Sequence, residues 1–250
     1  MIKAYLRGAS APISAIDFVK RHGLWRLFLC PLALSAVLFV CIHFAAASVG
    51  TAVADAISGR IGSADEMPVW GSVLSWVGYL MARILMFVAM VYVGGYLVLL
   101  LMSPMLSYVA SLAVFRHTGR REPWAMASFV HDVLRGIAIS MRNMLMQALL
   151  LLVVFVAGFI PVVTPLTPVL YWLVSAFYYG FSMADYVFEA RRMSISASVA
   201  FARRNRAYML GLGTLFALLV GIPFVGIYLA AFISPLVVIG TELTIDESSL

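Results

Sequence analysis

The chain has 250 residues, of which 64% are hydrophobic and only 11% charged, about half the charged share of a soluble domain. Several apolar runs reach the length of about 20 residues that crosses a bilayer core, which excludes an ordinary soluble domain and leaves a single all-α integral membrane domain, residues 1–250, with no dividing linker. The formal charge of +6 does not point to nucleic acid, because the basic residues sit in loops between apolar runs rather than on a soluble face with stacking aromatics.

Those basic residues fall in three segments: Lys3, Arg7, Lys20, Arg21 and Arg26; Arg116, Arg120, Arg121, Arg135 and Arg142; and Arg191, Arg192, Arg203, Arg204 and Arg206, with only Arg60 and Arg83 elsewhere. This is the positive-inside distribution of cytoplasmic loops. Residues 1–22 set Ile2, Tyr5, Leu6, Ile13, Ile16 and Val19 against Lys3, Arg7, Lys20 and Arg21, the pattern of an amphipathic segment at the cytoplasmic interface. A spanning helix is expected over 24–49. The run His43–Ser48 resembles a signal-peptide cleavage site, but the apolar stretch before it is longer than the usual h-region, so it reads as a retained helix. Cys30 and Cys41 lie in this helix, about 16 Å apart along its axis, too far to bridge, and read as packing residues.

Residues 50–71 are small, polar and acidic (Asp55, Asp65, Glu66), an extracytoplasmic loop. A second spanning helix is expected over 72–102, with Arg83 snorkelling to the outer interface beside Trp76 and Tyr79. Residues 103–141 return to the basic side. There Pro123 opens a helix in which Met126, Phe129, Val130, Val133, Leu134 and Ile137 recur at helical spacing opposite His131, Asp132 and Arg135, again an interfacial pattern.

From Met144 to Ala184 no residue is charged, and Pro161, Pro165 and Pro168 sit at the centre. Proline removes a backbone donor and clashes with the preceding turn, so a sharp turn is expected there. The arms Met144–Ile160 and Pro168–Ala184 are each about 25 Å long as helices, short of a core of about 30 Å. The pattern recurs from Met209 to Gly240 around Gly221-Ile222-Pro223-Phe224. The fold expected is therefore two long transmembrane helices plus two proline-turned, partly inserted helical hairpins, 143–189 and 208–243. A basic cytoplasmic loop or helix over 190–208 joins them and a tail over 244–250 follows. Four thin full spans remain the alternative, and both arrangements leave the N- and C-termini cytoplasmic.

Signatures of catalysis are missing: the sequence has no GxSxG, HExxH, Walker A, GxGxxG or CxxC, and His22, His43, His117 and His131 lack metal-ligand spacing. No enzyme, cofactor or metal is expected. Three features bear on anions. In His22-Gly23-Leu24-Trp25-Arg26 a helix start offers free N–H groups and Arg26 a forked donor, so Gly23, Leu24 and Arg26 are the candidate anion-binding residues. The same residues suit a glycine hinge with Trp25 and Arg26 as interface anchors. Asp185 and Glu189, four apart on one helix face beside Arg191 and Arg192, suggest a structural ion-pair network at the exit of the first hairpin. Arg203-Arg204-Asn205-Arg206 suits lipid headgroups and topology signalling.

Ile160-Pro161 followed by Pro168 to Ala176, then Asp185-Tyr186 and Arg192-Met193-Ser194-Ile195-Ser196, together with Gly211 to Pro223 and the entry Gly23-Leu24-Trp25-Arg26 before Pro31, resemble the CysZ-like sulfate transporter family, which includes the etoposide-induced membrane proteins. The resemblance implies two spanning helices with two partly inserted hairpins. It also implies a permease or channel taking up sulfate, or a related oxyanion, across the bacterial inner membrane for sulfur assimilation. Its sulfate-binding element is a Gly-Leu-Arg-Arg turn, onto which Gly23, Leu24 and Arg26 map while Trp25 replaces one arginine. Two spans per chain cannot enclose a hydrated path, so a homo-oligomer in contact with membrane lipids is expected if the chain transports. A non-transporting scaffold that organises lipids or proteins is the competing reading.

Overall fold

The computed structural model describes residues 1–29, 33, 37, 40, 44, 102–119, 126–222 and 225–245. The expected loop over 50–71 and most of the expected spanning helices over 24–49 and 72–102 lie outside these residues. The regular structure of the described residues is entirely helical, and we number its α-helices α1 (Ile2–His22), α2 (Ser103–Thr118), α3 (Met126–Ala157), α4 (Thr167–Ala190), α5 (Ile195–Arg204), α6 (Arg206–Val220) and α7 (Gly226–Thr244). Short 3-10 turns cover Leu24–Phe28 and Thr164–Leu166. Two stretches, Leu134–Ala157 and Gly226–Thr244, are long and apolar enough to cross a membrane.

Small residues decide how these helices meet. On α6, Gly211 and Gly213 are two positions apart, about 200° around the helix, and so face opposite neighbours. A Cβ on Gly211 would overlap the Tyr5 carbonyl oxygen of α1, and one on Gly213 would overlap the Ala176 carbonyl oxygen of α4. Helix α6 is thus held between α1 and α4 at backbone contact distance, the kind of approach that only glycine permits. Gly240 of α7 closes on Ala11 of α1 in the same way.

The same packing decides which face of α1 is buried. Its buried residues are Gly8, Ala11, Pro12, Ala15 and Val19, spaced along one helical stripe, while Ile2, Leu6 and Ile13 are exposed. The bulky apolar stripe points away from the helical body, because inside a membrane protein close helix approach selects small side chains rather than large ones.

The uncharged turn of the first hairpin satisfies its own backbone. Helix α3 stops at Ala157 and α4 starts at Thr167, with Pro168 in its first turn, where the missing N–H costs nothing. The Thr164 hydroxyl stands 2.6 Å from the Gly158 carbonyl oxygen and 3.1 Å from that of Ile160, and the Thr167 hydroxyl donates to the Val163 carbonyl at 3.3 Å. Threonine thus meets the carbonyls that a helix end leaves open, with no charged residue needed. Helix α7 has the same device at Pro235. The proline has no N–H for the carbonyl four residues back, and the Ser234 hydroxyl donates to that carbonyl, Ala231, at 2.7 Å.

One boundary differs from the sequence reading. The interfacial helix expected to end near 141 and the hairpin expected to start at 143 form a single helix, α3. Nothing between Ile139 and Met144 breaks a helix: there is no proline, glycine or capping motif there.

Candidate functional site

Polar groups gather at the base of the bundle, where α4 and α7 end, opposite the hairpin turns. Asp185 and Glu189 sit on one face of α4, and the cation that reaches them comes from α3. Arg135 Nη2 donates to Asp185 Oδ1 at 3.2 Å and to Ser198 Oγ at 3.1 Å, and Nη1 lies 3.5 Å from Glu189 Oε2. The Arg135 side chain is 8% exposed and the two carboxylates 4%. Buried charges of this kind persist because they are paired; removing one partner leaves an uncompensated ion at a cost of about 3–5 kcal/mol.

Arg191, expected to join that network, turns instead to the end of α7. It grips Glu242 with two parallel bonds, Nε to Oε2 at 2.9 Å and Nη2 to Oε1 at 2.7 Å, the fork geometry in which guanidinium matches carboxylate best. His117 Nδ1, from the last turn of α2, reaches Glu242 Oε1 at 3.0 Å. Glu242 is fully buried, so one acid ties together α2, α7 and the residue that ends α4. Nearby the Tyr208 hydroxyl lies 3.3 Å from the Thr241 carbonyl oxygen and 2.9 Å from Thr244 Oγ1, and the Arg7 guanidinium covers the Tyr208 ring at 5.6 Å.

Arg192 follows in an unusual conformation. Its φ is 58, a left-handed backbone that glycine adopts readily and other residues seldom do. The Arg192 N–H donates to the Glu189 carbonyl at 2.8 Å and the Met193 N–H to the Phe188 carbonyl at 2.9 Å, which together make a Schellman cap on α4 with arginine where glycine is usual. Ser194 then caps α5 by accepting from the Ala197 N–H at 3.2 Å. Between these residues lies a cavity of about 560 Å³ lined by Leu134, Arg135, Glu189, Arg192, Met193, Ser194 and Ile195.

From Arg135 a polar stripe climbs α3 at multiples of four residues. Asn143 Nδ2 donates to Ser182 Oγ at 2.9 Å and Gln147 Nε2 to Ser175 Oγ at 3.1 Å, both bonds crossing from α3 to α4. This spacing is a signal the sequence offers and the reading above passed over. So is Glu242, the first charged residue after the uncharged run from Met209 to Gly240.

The candidate anion residues lie apart from this base cluster in their chemistry. Gly23 ends α1 with φ 64, its N–H bonded back to Lys20 and Val19. An added Cβ there would meet nothing within 4 Å, so the glycine serves the left-handed turn rather than a tight contact. Leu24 is buried, while Trp25 and Arg26 are exposed, with the Trp25 ring 5.6 Å from that of Phe28. Arg203, Arg204 and Arg206 are exposed on α5 and the start of α6. Among the described residues no three of His, Cys, Asp and Glu come together as a metal would require.

A helical body built on glycine contacts and two helices long and apolar enough to cross a membrane are those of a helical membrane protein. Residues 11–230 match the model of one family, and the chain belongs to it: the sulfate transporter CysZ/etoposide-induced protein 2.4 family. No curated protein matches the chain.

Proposed function

We propose that this chain is a sulfate or related oxyanion permease or channel of the bacterial inner membrane, supplying sulfur assimilation. It works as a homo-oligomer in contact with membrane lipids, with both termini cytoplasmic and the segments 143–189 and 208–243 partly inserted as hairpins. The observation that carries the reading is the family match over residues 11–230. For the second hairpin the short arm supports partial insertion, since the 15 residues of α6 reach only about 22 Å against a core of about 30 Å, whereas Leu134–Ala157 of the first is long enough to cross. Cysteines placed at Val162 and Val225, both exposed at the hairpin turns, test this. Ready labelling of both by an impermeant thiol reagent from the periplasmic side would establish four full spans instead.

The anion docks at the turn formed by Gly23, Leu24 and Arg26. A divalent oxyanion is costly to dehydrate and needs several charge-assisted donors together. Open space around Gly23 leaves room for an anion against the backbone, buried Leu24 holds the turn to the helical body, and exposed Arg26 supplies the guanidinium. Trp25 packs beside Phe28 and offers no cation, so affinity is weaker than with paired arginines. Arg26→Ala removes a charged hydrogen bond worth roughly 1.5–3 kcal/mol, a loss of about tenfold to hundredfold in binding, and Trp25→Arg strengthens binding. Calorimetric titration of sulfate into the purified protein and both variants measures this; sulfate binding indifferent to Arg26→Ala would remove the site. Sulfate flux into liposomes holding the purified protein tests transport itself, and its absence would favour a scaffold.

A further inference from the structure

We propose that the turn of the first hairpin, residues 158–166, beds directly in the acyl-chain layer of the bilayer, with lipid hydrocarbon as its partner rather than protein or a water-filled cavity. This rests on the hairpin insertion proposed above and is independent of whether the chain moves anions. Irregular backbone is excluded from lipid because its open N–H and C=O groups find no partner there. Here the turn closes most of them on itself. A helix end commonly leaves its last four carbonyls open, but those of α3, Val154 to Ala157, accept from the N–H groups of Gly158, Phe159 and Ile160. The N–H groups of Val163 and Thr164 donate to the Ile160 carbonyl, that of Leu166 to Val163, and that of Thr167 to Thr164. Pro161 and Pro165 have no N–H to place, which leaves Val162 with the turn's one open donor. The Thr164 and Thr167 hydroxyls cover the carbonyls of Gly158, Ile160 and Val163. A turn bathed in water needs no such hydroxyls, since water caps carbonyls itself.

The side chains fit the same partner. Phe159 is 74% exposed and Val162 82%, with Ile160, Leu166 and Val169 exposed beside them. Where helices of this protein meet, glycines such as Gly211 and Gly213 bring backbones together, whereas Gly158 is close only to Val154, Phe155 and Thr167 of its own hairpin. No residue from Met144 to Ala184 is charged, so nothing at the turn calls for water or a counter-ion. Depth agrees: from Arg142, the last charge before the turn, α3 rises to Ala157 by about 22 Å, inside a core of about 30 Å.

The test reads what touches the turn. Full-length protein with Cys30→Ala, Cys41→Ala and a nitroxide on Val162→Cys is placed in liposomes of phosphatidylethanolamine and phosphatidylglycerol. Relaxation of the label by oxygen, which partitions into hydrocarbon, is compared with relaxation by a water-soluble nickel chelate. Oxygen is expected to relax it strongly and nickel hardly at all. Strong relaxation by nickel puts water at the turn, and relaxation by neither puts protein there; either result overturns the proposal, and the second leaves partial insertion standing. A second measurement bears on the backbone. Thr164→Val keeps the shape but loses the hydroxyl, and in lipid no water replaces it. The unfolding equilibrium in bicelles is expected to move about tenfold toward the unfolded state, and Thr164→Ser to restore it. A Thr164→Val protein as stable as wild type also overturns the proposal.

Discussion

In the first hairpin the apolar stretch of α3 that is fit to cross a membrane is 22% buried, and in the second the corresponding stretch of α7 is 61% buried. Both come from uncharged, proline-centred sequence. The difference lies in side-chain size. The exposed face of α3 and the turn beyond it carry Leu145, Leu149, Leu152, Val153, Val156, Phe159 and Val162, large groups that keep neighbouring helices at a distance and suit lipid. Helix α7 carries Gly226 and Gly240, each at backbone contact with a neighbour, whereas the one glycine of α3, Gly136, meets no neighbouring backbone; the close glycine of the first hairpin, Gly180, lies on its other arm, α4. An uncharged hairpin is therefore not one structural object: the arm with contact glycines is packed against protein, and the arm with large side chains is left exposed.

The largest effect that would break this comparison is expected where the two hairpins are joined. Arg191→Ala leaves buried Glu242 with His117 as its remaining partner among the described residues and lowers stability by about 3 kcal/mol, read as a fall in denaturation midpoint in detergent. Arg191→Lys recovers little, since an ammonium cannot form the two parallel bonds.

Next comes the glycine seam. Gly213→Ala forces its methyl into the Ala176 carbonyl, and we expect a loss of about 2–3 kcal/mol; a neutral outcome in thermal unfolding would show that α4 and α6 are not in backbone contact.

A smaller effect sharpens the account of α7. Ser234→Ala strands the Ala231 carbonyl and costs about 1 kcal/mol. In the Ser234→Ala, Pro235→Ala double variant the restored N–H at 235 returns that loss, so the cycle is strongly non-additive. Additive effects would mean the serine does not stand in for the proline.

The smallest effect lies on the first hairpin. Leu152→Ala, at a side chain 57% exposed, shifts stability in detergent by no more than about 0.5 kcal/mol. A loss several times larger, seen by the same unfolding assay, would place a protein partner rather than lipid on α3.

The hairpin turns were readable because proline and glycine act locally: the breaks between Ala157 and Thr167 and between Val220 and Gly226 fall where the proline and glycine clusters stand in the sequence. Partners were not readable. Asp185 and Glu189 could be placed on one face from spacing alone, but their cation, Arg135, lies fifty positions away in sequence, and the adjacent Arg191 pairs with Glu242. Spacing reports which side chains share a helix face and says nothing of which helix comes to meet them. On α1 the small and the large apolar residues part in the same way. Hydrophobic periodicity weighs Ile2, Leu6 and Ile13 more heavily than Gly8, Ala11 and Ala15, whereas close packing between helices has the opposite preference. At the Gly23 turn the sequence correctly required glycine, and the structure assigns that requirement to φ rather than to crowding.

The contact of α1, α6 and α4 through Gly8, Gly211, Gly213 and Gly180 also limits permeation. Where carbonyl oxygens of one helix would collide with a single added methyl on the next, there is no gap for a water file, still less for a hydrated oxyanion. The middle of this stack is an electrical insulator. Among the described residues, any ion path has to lie outside this seam of α1, α6 and α4.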